Sequence, residues 1–180
     1  MNGAILITGA SSGIGAACAR YLDGMGVTVW AGVRRMEDGE ALARSTSARL
    51  RVLLLDVTDP DSIAAASRTL TEALPEAGLA GLVNNAGISV AGPLELLPLA
   101  EVRTQFEVNV IGARAVTQAV LPSLRRARGR IVNISSIAGL AATPFLGAYC
   151  GSKFALEAMS DALRLELAPW GIALTLVEPG

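Results

Sequence analysis

Short runs of apolar, often β-branched residues alternate along the chain with stretches that have helical periodicity. Continuous apolar runs of this length are typical of strands that are buried on both faces of a sheet. Strands that alternate with helices are joined by right-handed crossovers, so they lie parallel in one sheet. The pattern therefore predicts a doubly wound α/β fold. Its six predicted strands cover residues 4–8, 27–33, 50–57, 79–86, 129–135 and 172–179.

Two of the helical stretches place their apolar residues on one face. The first helix is predicted to end at Gly26, and its apolar face consists of Ile14, Cys18, Leu22 and Met25. The second face belongs to a longer helix and consists of Val102, Phe106, Val110, Ala113, Val116 and Val120. No repeat, low-complexity tract or linker interrupts the pattern, so residues 1–180 are predicted to form a single domain.

One uncharged segment, residues 131–152, is as long as a membrane-spanning helix. It contains polar residues and a proline that would interrupt such a helix, and irregular backbone exposed to lipid cannot satisfy its hydrogen bonds. We therefore predict no membrane span here but a buried strand that leads into a loop. The interrupting residues include Asn133, Ser135, Ser136, Thr143 and Pro144.

The composition argues against several classes of function. The net charge is −1 and the basic residues are scattered, unlike the pattern of a protein that binds nucleic acid or a membrane surface. The sequence has no histidine and two cysteines, Cys18 and Cys150, so we expect no metal site and no disulfide framework. No basic segment precedes the first apolar run, unlike in a secretory signal, and a cytoplasmic location is expected. The expected partner is a small molecule.

The stretch TGASSGIG, residues 8–15, links the first predicted strand to the first helix with three glycines. In a sheet of the Rossmann type, whose strands take the order 3-2-1-4-5-6, this turn lies at the carboxyl edge where ligands bind. Gly9 lets the chain turn, while Gly13 and Gly15 open the way to the helix start, whose free N–H groups favour a pyrophosphate. A tight turn without a ligand explains the glycines equally well, so other positions have to decide.

Tyr149 and Lys153 stand four residues apart in a predicted helix and therefore share one face. A phenol is a weak base near neutral pH, but a neighbouring cation favours its ionised form. Lys153 supplies such a cation, which makes the pair a candidate for acid–base chemistry. Because the same spacing occurs by chance on many helix surfaces, the pair alone does not establish a function.

Taken together, these motifs resemble those of the short-chain dehydrogenase/reductase family, in its single-domain branch, and the resemblance covers the entire chain. The segment that begins at Tyr149 is most similar to hydroxysteroid and retinol dehydrogenases of that family. The motifs that carry the resemblance, in the family's order and spacing, are TGASSGIG, LDV at 55–57, NNAG at 84–87, Asn109 in a long helix, ISS at 134–136, YCGSK at 149–153 and a terminal PG.

The resemblance implies a role for each matching residue. Tyr149 would be the general acid and base, Lys153 its electrostatic partner and a ribose ligand, and Ser136 a hydrogen-bond donor to the substrate oxygen. Asn109 would hold a water in a proton relay. A loop-capping role for Ser136 and a helix-terminal role for Asp56 remain open. The residues implied in cofactor binding are Gly9, Ser11, Ser12, Gly13, Ile14, Gly15, Asp56, Val57, Asn85, Ala86, Gly87, Tyr149, Lys153, Pro179 and Gly180.

The end of the second strand bears on the choice of cofactor. An acidic residue there would bind the ribose hydroxyls of NAD, whereas an arginine accommodates the 2′-phosphate of NADP. Val33 occupies the position where the family's NAD users commonly carry aspartate, and Arg34 and Arg35 follow it. NADP(H) is therefore expected to be favoured over NAD(H). The alternative is that both arginines are solvated charges of a loop.

The resemblance implies an NAD(P)(H)-dependent oxidoreductase that interconverts an alcohol with a ketone or an aldehyde by hydride transfer. It also suggests a lipophilic substrate, with four apolar residues either as pocket walls or as core. Two other classes stay open: a non-catalytic dinucleotide sensor or scaffold, and an epimerase or dehydratase of the family's extended branch. The four apolar residues are Val90, Leu140, Phe145 and Leu146.

Two further expectations concern assembly and the end of the chain. The helix that carries Tyr149 is apolar on two sides, which favours a homodimer or homotetramer. Family members continue past the PG with a substrate loop and a seventh strand, so the resemblance implies that this chain is C-terminally truncated. Without the seventh strand the sixth would be an exposed edge, and the 180-residue chain is expected to associate and to be weakly active or inactive.

Overall fold

The computed structural model describes residues 3–180, so Met1 and Asn2, with which the chain opens, lie outside the described residues. Six parallel strands form one sheet in the order β3-β2-β1-β4-β5-β6, which confirms the predicted Rossmann-type topology. All six predicted strands are present, each slightly shorter than its apolar run. Their bounds are β1 Ala4–Ile7, β2 Thr28–Val33, β3 Leu50–Leu54, β4 Leu79–Asn84, β5 Arg130–Ile134 and β6 Ala173–Val177.

Helices cover both faces of the sheet. Because side chains alternate along a strand, Leu6 of β1 packs in one core with α3 and α5, while Ile7 packs in a second core with α1 and α2. The helix α6 packs against β6 and against the segment that joins α4 to α5. The helices are α1 Gly13–Gly24, α2 Met36–Ala43, α3 Pro60–Ala73, α4 Leu99–Phe106, α5 Ala113–Ala127 and α6 Gly147–Leu167.

The predicted apolar face of α1 is wrong at both ends. Ile14 and Met25 are each about half exposed, and the buried positions are mostly small residues, Ala16 and Ala19 among them. Small residues let α1 approach the sheet closely, so the helix buries this narrow face rather than its larger side chains. The second predicted face is confirmed in its central part, because Val110, Ala113, Val116 and Val120 are all buried.

The uncharged segment 131–152 forms three different elements. It begins in β5, continues through a 3₁₀ turn at Ile137–Gly139, and ends in the first turns of α6. This confirms the predicted buried strand that leads into a loop. Among residues 3–180, no helix combines the length and the apolar character that crossing a membrane requires.

Candidate active site

The carboxyl ends of the strands open into one cleft of about 830 Å³, where ligands bind in open α/β sheets. Three of the four predicted catalytic residues line it, and so do all predicted cofactor residues except Gly15 and Arg35. The predicted residues that line the cleft are Gly9, Ser11, Ser12, Gly13, Ile14, Arg34, Asp56, Val57, Asn85, Ala86, Gly87, Ser136, Tyr149, Lys153, Pro179 and Gly180.

The glycine turn between β1 and α1 is shaped by close backbone contacts. Gly9 has a φ of +64°, and a Cβ on it would lie 2.8 Å from the Cα of Ala86. A Cβ on Gly15 would lie 2.5 Å from the carbonyl oxygen of Gly9, so any larger residue there would push α1 away from the turn. Gly15 therefore acts by packing and does not line the cleft. It faces the turn itself, and its predicted role in cofactor binding stays a prediction.

The first turn of α1 is free to receive an anion. Ser12 is the N-cap residue, and its side chain makes no capping hydrogen bond with the described part of the chain. Backbone N–H groups at a helix start have no partner within the helix, and the helix dipole makes this end positive. Ser11, Ser12 and Gly13 line the cleft at this point. The arrangement fits a phosphate or pyrophosphate.

Thr8 and Asn85 lock the ends of β1 and β4 together. The Thr8 hydroxyl oxygen accepts hydrogen bonds from the backbone N–H groups of Asn85 and Ala86, both at 3.0 Å. The Asn85 side-chain amide donates to the carbonyl oxygens of Thr8 and Gly9 at 2.9 and 3.0 Å. Thr8 is a positioning residue that the sequence analysis did not single out. Its signal was a polar residue at the end of an apolar strand, next to the glycines.

Asp56 lines the cleft and is fixed by its neighbour Thr58. Its carboxylate accepts hydrogen bonds from the Thr58 backbone N–H at 2.9 Å and from the Thr58 hydroxyl at 2.7 Å. The N-cap of α3 is Asp59, whose side chain accepts from the Asp61 N–H. The alternative role of Asp56 as the terminal residue of that helix is therefore wrong, and its side chain shapes the turn at the cleft instead.

The two arginines after β2 lie in different surroundings. Arg34 lines the cleft, whereas the Arg35 guanidinium donates two hydrogen bonds to the Asp38 carboxylate, at 3.0 and 3.1 Å. Arg35 occupies the N-cap position of α2, and Asp38 in the first turn of that helix lies within its reach. Arg35 does not line the cleft, so its predicted contact with the cofactor stays a prediction, and the alternative of a solvated loop charge fits the observed side chain better.

Tyr149 and Lys153 lie together in the first turns of α6, with the Lys153 ammonium 5.7 Å from the centre of the Tyr149 ring. The ammonium donates a hydrogen bond of 2.8 Å to the carbonyl oxygen of Ile134, at the end of β5. Burial lowers the pKa of Lys153 from 10.5 to about 8, and the Glu157 carboxylate opposes this by raising it. The cleft thus holds a partly desolvated cation directly beside a phenol.

Ser136 stands at the N-terminus of the 3₁₀ turn after β5. Its hydroxyl oxygen accepts from the Ala138 N–H at 3.2 Å, and its O–H lies 3.4 Å from the Pro179 carbonyl oxygen. Ser136 therefore caps the turn, which agrees with the loop-capping alternative. It also lines the cleft. The neighbouring Ser135 is buried, and its hydroxyl has no hydrogen-bond partner among residues 3–180.

Asn109 differs from the other predicted catalytic residues because it does not line the cleft. It lies in a π-helical turn, Glu107–Gly112, that joins α4 to α5 and divides the predicted long helix. Its carbonyl oxygen accepts from the Ile88 N–H at 2.9 Å, and its amide donates to the Ile88 carbonyl at 3.0 Å and to the Ser152 hydroxyl at 3.1 Å. The side chain thus braces a wall of the cleft, and the water-holding role stays a prediction.

The four apolar residues considered as substrate walls do not line the cleft. Leu140 and Phe145 are 62% and 65% exposed, and the Phe145 backbone carbonyl accepts a hydrogen bond of 2.7 Å from the Gly92 N–H. Neither pocket wall nor core therefore describes these two. The cleft residues that the sequence analysis missed are Leu55, Thr58, Ile88, Ser89, Thr104, Val108, Ile134 and Ser135.

The cleft offers no preformed metal site: within residues 3–180, no three cysteine, aspartate or glutamate side chains come together in a metal-binding group, and the sequence has no histidine. Cys150 is buried next to Tyr149, and Cys18 is partly buried in α1, both unpaired within the described range. The polar chemistry of the cleft therefore rests on hydroxyl, amide, carboxylate, ammonium and guanidinium groups.

Comparison with known proteins finds similarity over nearly the full length of the chain. The family model described as short chain dehydrogenase matches residues 3–180. Human retinol dehydrogenase 16 is 45% identical over 177 residues, which are 98% of this chain and 56% of that protein. Human 17-beta-hydroxysteroid dehydrogenase type 6 is 46% identical over 177 residues, again 98% of this chain and 56% of the relative.

Two further similarities extend the range of relatives. Mitochondrial D-beta-hydroxybutyrate dehydrogenase from Mus musculus is 43% identical over 183 residues, or 98% of this chain and 53% of that protein. The crystal structure of a short-chain dehydrogenase from Streptomyces avermitilis superposes with a TM-score of 0.94 at 37% identity and covers 100% of this chain and 66% of the other. The chain spans about half the length of the curated relatives it matches. The family match, the sheet order and the relatives together show that the chain belongs to the short chain dehydrogenase family.

Proposed function

We propose that the protein is an oxidoreductase that interconverts an alcohol with a ketone or an aldehyde. One observation carries the proposal: a buried lysine ammonium lies 5.7 Å from the ring of Tyr149 in a cleft that also receives an uncapped helix N-terminus. The first feature suits proton transfer at an oxygen, and the second suits a phosphate-bearing cofactor. The named relatives are dehydrogenases, which supports this reaction class.

The residues of the cleft fit a nicotinamide dinucleotide, the cofactor that the family implies. When bound, this cofactor supplies a hydride donor or acceptor. The first turn of α1, with Ser11 and Ser12, would hold its pyrophosphate, and Asp56 with Val57 would contact the adenine end. Lys153 would donate to a ribose hydroxyl with the N–H groups that its bond to Ile134 leaves over.

The catalytic part of the proposal assigns proton transfer to Tyr149 of α6, supported by Lys153 of the same helix and by Ser136 at the turn after β5. In the reducing direction, the Tyr149 hydroxyl gives its proton to the substrate oxygen, and in the oxidising direction the phenolate takes it back. The Lys153 ammonium stabilises the phenolate by its charge. The Ser136 hydroxyl donates a hydrogen bond to the same substrate oxygen and so favours the developing negative charge. Asn109 acts indirectly, through its bonds to Ile88 and Ser152.

We propose that the protein prefers NADP(H) to NAD(H). The proposal rests on Arg34, because Arg35 does not line the cleft. Arg34 lines the cleft at the end of β2, where Val33 leaves no carboxylate to bind ribose hydroxyls or to repel a phosphate. Measured dissociation constants for NADP and NAD test this. A ratio that favours NADP in the wild type and falls about tenfold in Arg34→Ala supports the preference, and equal affinities in the wild type reject it.

We propose a lipophilic substrate, because two of the named relatives, at 45% and 46% identity, are named for retinol and for a hydroxysteroid, which are lipophilic alcohols. We also propose a homodimer or homotetramer. The outer side of α6 leaves Phe154 and Leu165 exposed by 44% and 77%, and a second copy would cover this apolar surface. A monomeric mass by light scattering at micromolar concentration would contradict the oligomer.

The experiment that tests the reaction class is a turnover assay with each nicotinamide cofactor and a panel of alcohols. The panel pairs long-chain and steroid alcohols with small hydroxy acids, and the absorbance of the reduced cofactor reports turnover. The Tyr149→Phe variant serves as the control for contaminating enzymes. Turnover that depends on Tyr149 supports the proposal. Tight dinucleotide binding without turnover on any alcohol would favour the alternative of a dinucleotide sensor.

A further inference from the structure

Gln105, near the end of α4, is a fully buried polar side chain that the chemistry described above does not use. Its carbonyl oxygen accepts a hydrogen bond of 2.7 Å from the Val90 N–H, and its amide donates one of 2.8 Å to the Ile88 carbonyl. Burying an amide costs free energy unless both ends are paired. Both ends of Gln105 are paired, and both with the backbone of one short segment, Ile88–Val90.

Asn109 holds the same segment from one helical turn further on. Its side chain bonds both the N–H and the carbonyl of Ile88, so the two amides together fix three backbone groups of this segment. Ile88 and Ser89 line the cleft. The part of the cleft wall formed by Ile88 and Ser89 is therefore held by two buried side chains, neither of which lines the cleft itself.

The same two amides meet at Ser152 of α6. The Ser152 hydroxyl oxygen lies 3.1 Å from the Asn109 amide nitrogen and 3.4 Å from that of Gln105. Its own O–H donates a bond of 2.7 Å to the carbonyl oxygen of Tyr149. Ser152 is fully buried and immediately precedes Lys153. A continuous hydrogen-bond network thus runs from the Ile88–Val90 wall to the turn of α6 that carries Tyr149 and Lys153.

We propose that Gln105 is a positioning residue that fixes the Ile88–Val90 wall relative to Tyr149 and Lys153, acting through Ser152 and the backbone it binds. The inference deepens the proposed function and rests on it. An apolar residue of similar volume would fill the same space, but it would leave the Val90 N–H without its partner and release one end of the segment. Misplacement of reacting groups by even 1 Å lowers turnover strongly.

The test compares Gln105→Leu with the wild type in the full chain. We expect kcat to fall about 10- to 100-fold, with the KM for the dinucleotide changed less than about threefold, because none of the hydrogen bonds of Gln105 involves the phosphate-binding turn. Gln105→Glu provides a rescue with its own signature. A protonated carboxyl group both donates and accepts like an amide, so the turnover of this variant relative to wild type should recover as the pH falls. Urea unfolding of the same variant separates this from loss of the fold: recovery of turnover across a pH range in which the variant is already fully folded supports a positioning role, and recovery that only follows refolding contradicts it.

Hydrogen exchange supplies a readout that does not need activity. In Gln105→Leu we expect the Val90 amide to lose protection, while the Ile88 amide keeps it through Asn109. Gln118→Leu is the matched control, because this exposed side chain on α5 bonds Arg114 and no other group among residues 3–180. It should leave exchange and turnover unchanged.

The outcomes separate this inference from the proposed function. Unchanged kcat and unchanged Val90 protection in Gln105→Leu would overturn the inference even if the wild type is active. If the wild type shows no turnover, the proposed function fails, and exchange in the first turn of α6 decides the inference: faster exchange in Gln105→Leu supports it and unchanged exchange overturns it. If Gln105→Leu does not fold, the pH-dependent recovery of Gln105→Glu decides in the same way.

Discussion

The two ends of the cleft are built in opposite ways. At the glycine turn between β1 and α1, the polar groups are neutral, and Thr8 and Asn85 bond four backbone groups of the adjoining strand ends. At the start of α6, a buried ammonium has one carbonyl partner, and its pKa is lowered to about 8 because burial disfavours its charge. The first end fixes backbone shape, whereas the second maintains an unfavourable charge.

This difference separates what binding needs from what chemistry needs. Binding a dinucleotide needs space and free N–H groups, which small residues and a well-bonded turn provide at little energetic cost. Proton transfer by Tyr149 needs a poorly solvated cation beside the phenol, and such a buried charge destabilises the fold. A shift of the Lys153 pKa from 10.5 to about 8 corresponds to about 3 kcal/mol of unfavourable free energy when the lysine is charged.

The largest expected effect is at the phenol. Tyr149→Phe keeps the ring and the helix but removes the proton that is transferred. Turnover should fall by about 10²- to 10⁴-fold, while dinucleotide affinity stays within about twofold of wild type. Steady-state kinetics and calorimetric titration with the dinucleotide measure the two quantities. A variant that keeps most of its turnover would show that the α6 end does not perform the chemistry.

At the other end, Gly15→Ala should damage binding and folding instead of chemistry. The new Cβ would lie 2.5 Å from the Gly9 carbonyl oxygen, so α1 must move away from the turn. We expect a loss of about 1–3 kcal/mol in the free energy of unfolding, together with weaker dinucleotide binding. Gly24→Ala in the same helix is the control, because a Cβ there meets no atom within 4 Å. If the two variants behave alike in urea unfolding, close packing does not shape the turn.

The buried charge of Lys153 should lower the free energy of unfolding. Lys153→Met removes the charge but also the bond to Ile134, and we expect the free energy of unfolding at pH 7 to rise by about 1–3 kcal/mol while turnover is lost. Between pH 8 and 10.5 the folded wild type binds fewer protons at Lys153 than the unfolded chain does. The wild type should therefore gain stability from this group as the pH rises through that window, and the variant should not. A variant less stable than wild type at pH 7 would contradict the unfavourable charge.

The smallest effect concerns Glu157, one turn beyond Lys153. Its carboxylate raises the pKa of Lys153, so Glu157→Gln should lower that pKa and move the alkaline limb of kcat/KM to lower pH. At pH 8 we expect a loss of about twofold to fivefold in kcat/KM. Glu166→Gln, an exposed position on the same helix, should leave the pH profile where it is. An alkaline limb that moves equally in both variants would assign the effect to net charge alone.

The same contrast explains what the sequence allowed us to predict. The strands and the glycine turn follow from local patterns, and Tyr149 and Lys153 follow from helical spacing, so their placement at one cleft was predictable. The position of Arg35 outside the cleft was not predictable, because its contact with Asp38 depends on the residue at which α2 begins. The exposure of Phe145 was not predictable either, and its backbone bonds Gly92, a residue distant in sequence.

The network beneath the cleft was equally hidden from the sequence. Gln105 reads as an ordinary polar residue of an amphipathic helix, and only its contacts with Ile88 and Val90 distinguish it from an exposed glutamine. The buried face of α1 was predicted wrongly for a related reason. Its alanines pack more closely on the sheet than larger apolar residues at the same spacing, and periodicity alone cannot rank the two faces.

The ionisation of Lys153 in solution tests this account most directly, and the sequence makes the measurement simple. Lys153 is the only lysine in the 180 residues, so protein labelled with ¹³C-lysine gives one Cε signal that needs no assignment. Its chemical shift, followed as a function of pH in the folded protein, reports the pKa of the ammonium. The account predicts a midpoint near pH 8. A midpoint near the ordinary value of about 10.4 would contradict it, because the charge would then be solvated and the two ends of the cleft would not differ as described.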